Sequence, residues 1–129
     1  MSIVYLTIEQ VVFLHDEIVK KTGGSLGIRD WNLLHSAIFR PQSSFAGKDL
    51  YPNIFKKAGA LWQSLTKNHG FIDGNKRTSS SATLMFLEIN NLKLKYSHQE
   101  LVEFAVNSEN KNFSVEIIAA WLQAHTIPA

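Results

Sequence analysis

Apolar residues recur every three to four positions along most of the chain, which is the spacing of one face of an α-helix. The first helical segment follows Thr7, which can form a capping box with Gln10, and it ends near Gly23. A second segment follows Asp30 as its N-cap and is stopped by Pro41. No two well-separated segments alternate apolar and polar residues, so the pattern predicts no sheet of any size.

The second half of the chain has the same period. Pro52 fits the first turn of a third helix, which should end near residues 68–70. A fourth helix begins near Asn75 and is apolar on most sides, which predicts a central position. Ser97 and Ser114 can cap two more helices. The predicted fold class is therefore all-α, a compact bundle of five or six helices.

Residues 42–50 interrupt the helical pattern directly before the third helix. Their sequence, QSSFAGKDL, contains turn-forming residues and has no helical period. It predicts a loop or a short hairpin at this point of the chain.

Composition narrows the class of protein. The length of 129 residues predicts a single domain over residues 1–129. The chain has no cysteine, which excludes disulfides, thiolate metal sites and a cysteine nucleophile. No apolar run approaches the ~20 residues of a membrane span, and residues 1–6 do not resemble a signal peptide. We therefore expect a soluble cytoplasmic protein without a membrane partner.

The charge is small but concentrated. The formal net charge is +2, too little for a broad nucleic-acid surface, so no direct contact with nucleic acid is expected. Residues 48–77, however, contain six basic and two acidic residues, a local net charge of +4. The middle of the chain is therefore the place to look for a bound anion.

Residues 69–77, HGFIDGNKR, join the third helix to the fourth and have the features of a phosphate site. Gly70 and Gly74 allow the backbone to turn tightly and to approach a ligand closely. The segment leads into a helix N-terminus, where unpaired N–H groups bind anions. Lys76 and Arg77 are two cations at the electropositive end of that helix, an arrangement that an anion bound between them would favour.

Other side chains of this segment suggest chemistry. His69 is the residue best suited to accept a proton near neutral pH. Asp73, beside the two cations, could hold Mg²⁺ against a phosphate, and Asn75 could bind an anion or cap the helix. Phe71 is expected to face the core. On the residues alone, an alternative remains open, in which the glycines only form turns and the cations are solvated.

The same segment resembles the signature of the Fic/Doc family, His-x-Phe-x-(Asp/Glu)-x-Asn-(Gly/Lys)-Arg. The matching positions are His69, Phe71, Asp73, Asn75, Lys76 and Arg77. The resemblance covers most of the chain from about Thr7 onwards, and it implies the family's all-α fold. Typical Fic proteins have glycine where Lys76 stands and a second arginine where Ser80 stands. Both differences are shared with the Doc (death-on-curing) branch of toxin–antitoxin systems.

The resemblance to the Doc branch implies a toxin that transfers the γ-phosphate of ATP to a threonine of elongation factor Tu, which arrests translation. His69 would be the general base, Asp73 would hold Mg²⁺ or orient the nucleophile, and Lys76 and Arg77 would stabilise the transferred charge. Phosphate binding would involve Gly74, Asn75, Lys76, Arg77 and, as a weaker candidate, Lys67. Residues 42–50 would be a flap that aligns the target segment.

The resemblance also implies a partner. Fic proteins are often inhibited by a Ser/Thr-x-x-x-Glu-(Gly/Asn) motif. The chain has Glu109-Asn110, but Ala105 stands four residues before Glu109, so the motif is absent. A toxin without it requires an antitoxin in trans, whose disordered tail folds into a groove of the toxin.

Alternative functions come from other classes. Typical Fic enzymes transfer AMP, so the chain could be a protein adenylyltransferase. A degenerate module that only binds an antitoxin, or a small DNA-binding domain, would not need the signature, and the helix after Arg77 is rich in Ser and Leu rather than in base-reading residues. Outside the signature, His15 is interpreted as a hydrogen-bonded core histidine, and Trp31, Trp62 and Trp121 as core or partner surface.

Overall fold

The computed structural model describes residues 2–127, and it is built almost entirely from helices. The helices are α1 (Ile8–Thr22), α2 (Trp31–Phe39), α3 (Ile54–Asn68), α4 (Asn75–Ile89), α5 (His98–Asn110) and α6 (Val115–Ala124). The strands are β1 (Ser44–Phe45), β2 (Lys48–Asp49), β3 (Lys93–Leu94) and β4 (Thr126–Ile127). The predicted all-α fold of five or six helices is confirmed. Within residues 2–127, no helix is both long enough and apolar enough to cross a bilayer.

The helix boundaries follow the capping residues of the sequence. The Thr7 side chain accepts from the Gln10 backbone in a capping box, and Asp30 accepts from the amide of Leu33 at 3.0 Å. Pro52 is an exception, because Asn53 is the N-cap of α3 and Pro52 therefore lies outside the first turn. An asparagine side chain caps the free amides of a first turn, which proline cannot do.

Helices α3 and α4 form the centre of the bundle. Helix α3 packs against α2, α4 and α6, and α4 packs against α1, α3 and α5, which confirms the central position predicted for α4. A β-carbon on Gly59 would lie 2.7 Å from the carbonyl oxygen of Val115, so glycine lets α6 approach α3 closely. Trp62 is fully buried here and donates to the Ser108 hydroxyl at 3.1 Å.

Two short antiparallel hairpins complete the fold. Strands β1 and β2 form a short hairpin, which is one of the two structures predicted for residues 42–50. Ala46 and Gly47 have positive φ in its turn. Strands β3 and β4 pair the segment after α4 with the segment after α6. The sequence did not predict this second pair, because two residues are too few to show an alternating pattern.

Candidate active site

The segment between α3 and α4 surrounds an open cleft of about 460 Å³. The lining residues are His69, Ile72, Asp73, Gly74, Asn75, Lys76 and Arg77. Six of these seven are residues that the sequence singled out for chemistry. The connecting turn is tight, since His69 and Gly74 at its two ends both have left-handed backbones.

The N-terminus of α4 lines the cleft with amides that no side chain caps. Gly74 is the N-cap, and no side chain caps this helix end. The side chain of Asn75 is used elsewhere, because its Oδ1 accepts from the Phe71 amide at 3.0 Å and its Nδ2 donates to the Phe71 carbonyl at 2.9 Å. Asn75 therefore pins the loop, and the first amides of α4 are left for a ligand.

The two cations of the signature each have a neighbour. Lys76 Nζ lies 3.1 Å from Glu109 Oε1, so this half-buried ion pair links α4 to α5. Arg77 donates to the hydroxyl of Thr22 at the end of α1. The helix dipole opposes both positive charges at this end, and an anion in the cleft would relieve that repulsion.

Asp73 is an exposed carboxylate at the edge of the cleft. Its Oδ1 accepts from the Gly74 amide at 2.9 Å, and its Oδ2 accepts from the Ser25 amide at 3.3 Å. Within residues 2–127, no three metal-ligating side chains come together. One carboxylate is a fitting donor for Mg²⁺, which takes its remaining ligands from phosphate oxygens and water.

His69 is the C-cap of α3, with φ 48° and ψ 50°. A non-glycine residue in this left-handed region costs about 1–2 kcal/mol, so neighbouring groups must hold it there. The side chain is exposed at the cleft, and its ring makes no hydrogen bond to any residue that the structure describes. Its ring nitrogens are therefore available to a substrate.

His15 lies beneath the loop and is fully buried, which confirms the interpretation as a hydrogen-bonded core histidine. Its ring stacks on Phe71 with 3.7 Å between the ring centroids, and Phe71 faces the core as expected. His15 Nε2 donates to the carbonyl oxygen of Asp73 at 2.7 Å, and Nδ1 lies 3.0 Å from Asp16 Oδ1. The Asp73 carbonyl is thereby held towards the protein interior.

The connection between α1 and α2 braces the other side of the loop. Ile28 pairs with Phe71 in an antiparallel bridge, and the Ile72 amide donates to the Gly27 carbonyl at 3.1 Å. The Arg29 side chain donates to the last carbonyls of α3 and its C-cap. Nothing in the sequence points to Arg29, because 40 positions separate it from His69 and no periodic pattern marks it.

Lys67 lies apart from this constellation. It is exposed in the last turn of α3 and borders a small cavity with Trp62, Gln63 and Thr66 rather than the cleft. The structure does not bring it to the residues predicted to bind phosphate.

The β1–β2 hairpin is held at its base by the buried side chain of Lys57. Lys57 is 2% exposed, and its Nζ donates to the Pro41 carbonyl and to Asp49 Oδ2, both at 3.2 Å. Desolvation lowers the pKa of Lys57, but the neighbouring Tyr5 and Asp49 together raise it by more, so the pKa lies above its usual value. Lys57 therefore remains charged and ties the hairpin to α3.

The fold and the cleft define a class of protein: a small helical bundle with an exposed histidine beside an uncapped helix N-terminus. The model of the Fic/DOC family matches residues 5–87, more than half of the chain. The chain belongs to the Fic/Doc family, which confirms the resemblance seen in the signature.

Two curated relatives carry the name Doc. The chain is 50% identical over 72 residues to Toxin Doc of Mycolicibacterium smegmatis, an alignment that covers 56% of this chain and 55% of that protein. It is 26% identical over 119 residues to Protein kinase doc of Escherichia phage P1, which covers 92% of this chain and 93% of the phage protein. The chain thus matches about half the length of the first relative and nearly all of the second.

Proposed function

We propose that this protein is a Doc-like toxin that transfers a phosphoryl group from ATP to a Ser or Thr hydroxyl of a protein, with elongation factor Tu as the expected target. The observation that carries the proposal is the cleft itself. An unbonded histidine faces the uncapped N-terminus of α4, and two cations flank it. The name of the phage P1 relative, a protein kinase, supports the same reaction.

His69 would act as the general base. Its ring accepts the proton of the target hydroxyl while the hydroxyl oxygen forms a bond to the γ-phosphorus. The bond between that phosphorus and the oxygen bridging to the β-phosphate breaks, and ADP leaves. The proton returns to solvent from the His69 imidazole.

The N-terminus of α4 would bind the phosphates. The amides of Lys76 and Arg77 donate to phosphate oxygens, and the two side chains place positive charge where negative charge develops. Asp73 would hold Mg²⁺, which neutralises phosphate charge when it is bound. Gly74 has φ 77°, and a β-carbon there would lie 3.2 Å from Val19 Cγ2, so glycine lets this helix end pack closely against α1.

The hairpin of residues 42–50, the flap, would align the target. Residues 44–50 are exposed, and a two-stranded ribbon leaves a free edge to which an extended peptide can add. Backbone pairing at this edge would bring a hydroxyl of the target towards His69 without demanding one particular side-chain sequence.

Transfer of AMP is the alternative reaction, and Ser80 weighs against it. Typical Fic enzymes place their second arginine at this position. Ser80 is buried, and its hydroxyl donates to the Arg77 carbonyl at 3.1 Å, so this turn of α4 supplies no further cation. Without this second arginine, and with Lys76 in place of glycine, a triphosphate can bind with its γ-phosphorus rather than its α-phosphorus facing the target hydroxyl.

Labelled ATP distinguishes the two reactions. The protein is incubated with purified elongation factor Tu, Mg²⁺ and ATP labelled at either the α- or the γ-phosphorus. We expect label on the target from the γ-position only, a mass increase of one phosphate, and no transfer in excess EDTA. Label from the α-position alone would establish AMP transfer and overturn the kinase proposal.

Substitution of His69 tests whether the cleft is catalytic. We expect His69→Ala to lower transfer by about 10²–10⁴-fold, the usual contribution of a general base, and to abolish growth arrest. The matched control is His35→Ala, since His35 is exposed on α2, stacks on Phe39 and does not line the cleft. Growth arrest that survives His69→Ala would favour a toxin that acts by binding alone.

An antitoxin tail would bind beside the cleft. A groove of about 200 Å³ between α4 and α5 has an apolar floor that includes Leu101, Val102 and Val106, and it ends at Lys76 and Arg77. This combination fits an amphipathic acidic segment that folds on binding. We expect Val102→Glu to weaken neutralisation by the antitoxin while toxicity persists. Unchanged neutralisation would place the antitoxin on another surface.

A further inference from the structure

His69 needs help to hold its backbone. Its left-handed conformation is intrinsically unfavourable for a residue with a β-carbon, and it decides where the imidazole points. The C-cap position leaves the carbonyls at the end of α3 without partners inside the helix. The groups that satisfy these carbonyls therefore also set the geometry of the proposed base.

Arg29 satisfies three consecutive carbonyls at this point. Its Nε lies 2.6 Å from the carbonyl oxygen of His69, and its Nη2 lies 3.0 Å from that of Asn68. Its backbone amide lies 2.7 Å from the carbonyl oxygen of Gly70. The planar fork of a guanidinium can bridge two neighbouring carbonyls, and its charge is favourable at a helix C-terminus.

These contacts fix the orientation of the peptide group that follows His69. With its carbonyl held by Arg29, the His69 side chain is directed into the cleft. Gly70 reinforces the arrangement, because a β-carbon there would lie 2.7 Å from the Leu34 β-carbon and 2.9 Å from the Leu34 α-carbon. The loop therefore has little freedom to compensate if the guanidinium is lost.

We propose that Arg29 is a positioning residue for His69, which holds the proposed base in its left-handed conformation through the main chain. Arg29 is not among the residues that line the cleft. The inference rests on the proposed role of His69, but the conformation of His69 can be measured without any reaction.

The first test is spectroscopic and needs neither ATP nor target. The ¹³Cα and ¹³C′ chemical shifts and the HN–Hα coupling of His69 report its backbone conformation. We expect Arg29→Met to move these values away from the left-handed range and Arg29→Lys to move them less. Arg40→Met is the matched control, because Arg40 bonds Tyr51 and Gln63 and no residue of the loop. His69 values that Arg29→Met leaves unchanged would overturn the proposal.

The second test is kinetic. We expect Arg29→Met to lower kcat for transfer by about 100-fold, with KM for ATP unchanged, because misplacing a base by about 1 Å has a cost of this size. Arg29→Lys should recover part of the loss, and so should added ethylguanidinium with Arg29→Ala. A loss of kcat that neither treatment recovers would mean that Arg29 only stabilises the fold. If the wild-type protein transfers no phosphate, the proposed function fails while the spectroscopic result still decides the role of Arg29.

Discussion

Two segments that the proposed function uses, the loop of residues 69–74 and the flap, are held in different ways. Residues 69–74 accept hydrogen bonds from two other elements, from His15 of α1 and from Arg29 of the α1–α2 connection. The flap is exposed over residues 44–50, and at its base Asp49 binds Lys57 while the adjacent Tyr51 binds Arg40.

The difference matches what each segment must do under the proposed function. Proton abstraction requires the base within a fraction of an ångström of its position, which needs a rigid support. Pairing with a peptide edge requires main-chain groups that are exposed and able to adjust. Substitutions that disturb the loop should therefore reduce turnover, and substitutions at the flap should reduce affinity for the target.

Gly70→Ala should have the largest effect, because the added β-carbon meets backbone atoms of Leu34 that cannot move aside. We expect a loss of about 1–3 kcal/mol of stability and about 100-fold in turnover. Gly47→Ala in the flap turn is the comparison, since its β-carbon meets nothing within 4 Å and only its φ of +79° is strained. Thermal unfolding and labelled-ATP transfer measure the two effects. Equal stability losses at the two glycines would contradict the expected difference between the loop and the flap.

His15→Phe should come next. The ring stack on Phe71 can persist, but the Asp73 carbonyl loses its donor, which costs about 1–3 kcal/mol. Turnover should fall with it, as the loop shifts beneath the cleft. Asp16→Asn keeps the His15 ring and changes only the partly exposed neighbour of its Nδ1, so it should cost much less. Denaturant unfolding compares the two, and similar losses would show that the Asp73 contact is unimportant.

Lys57→Met should loosen the flap and leave the cleft in place. The loss of the ion pair with Asp49 and of the bond to Pro41 should cost about 1–3 kcal/mol. We expect KM for the protein target to rise while KM for ATP stays the same. Lys56→Met, at the neighbouring lysine, is the control. A rise in KM for ATP would mean that flap and cleft are not independent.

Glu100 should give the smallest effect, because it lies in α5, outside both the loop and the flap. A hydrogen bond from His125, with further bonds from Ser97, lowers the pKa of Glu100 below its ordinary value of 4.5. The ionised carboxylate therefore stabilises the fold at pH values above 4.5, and this stabilisation is lost as the pH falls through the lowered pKa. Glu100→Gln should flatten the stability profile in this acidic range, as measured by unfolding at a series of pH values. A profile identical to the wild type would show that the pair contributes nothing.

The sequence by itself determined the helices and the place of the site. Capping residues such as Thr7 and Asp30 act on amides two or three positions away, and an apolar stripe repeats within one or two turns, so both can be read locally. The signature of residues 69–77 likewise placed the proposed base and the anion-binding helix end within nine residues.

Only the tertiary structure decided how that site is held. His15 reaches Asp73 across 58 positions and Arg29 reaches His69 across 40, and neither contact has a local signal. The sequence predicted that Asn75 binds phosphate. In the fold, the Asn75 side chain instead makes two hydrogen bonds with the main chain of Phe71. Capping bonds and helical periodicity depend on residues that are close in sequence. The partners that hold a loop are brought to it only when helices that are distant in sequence pack together.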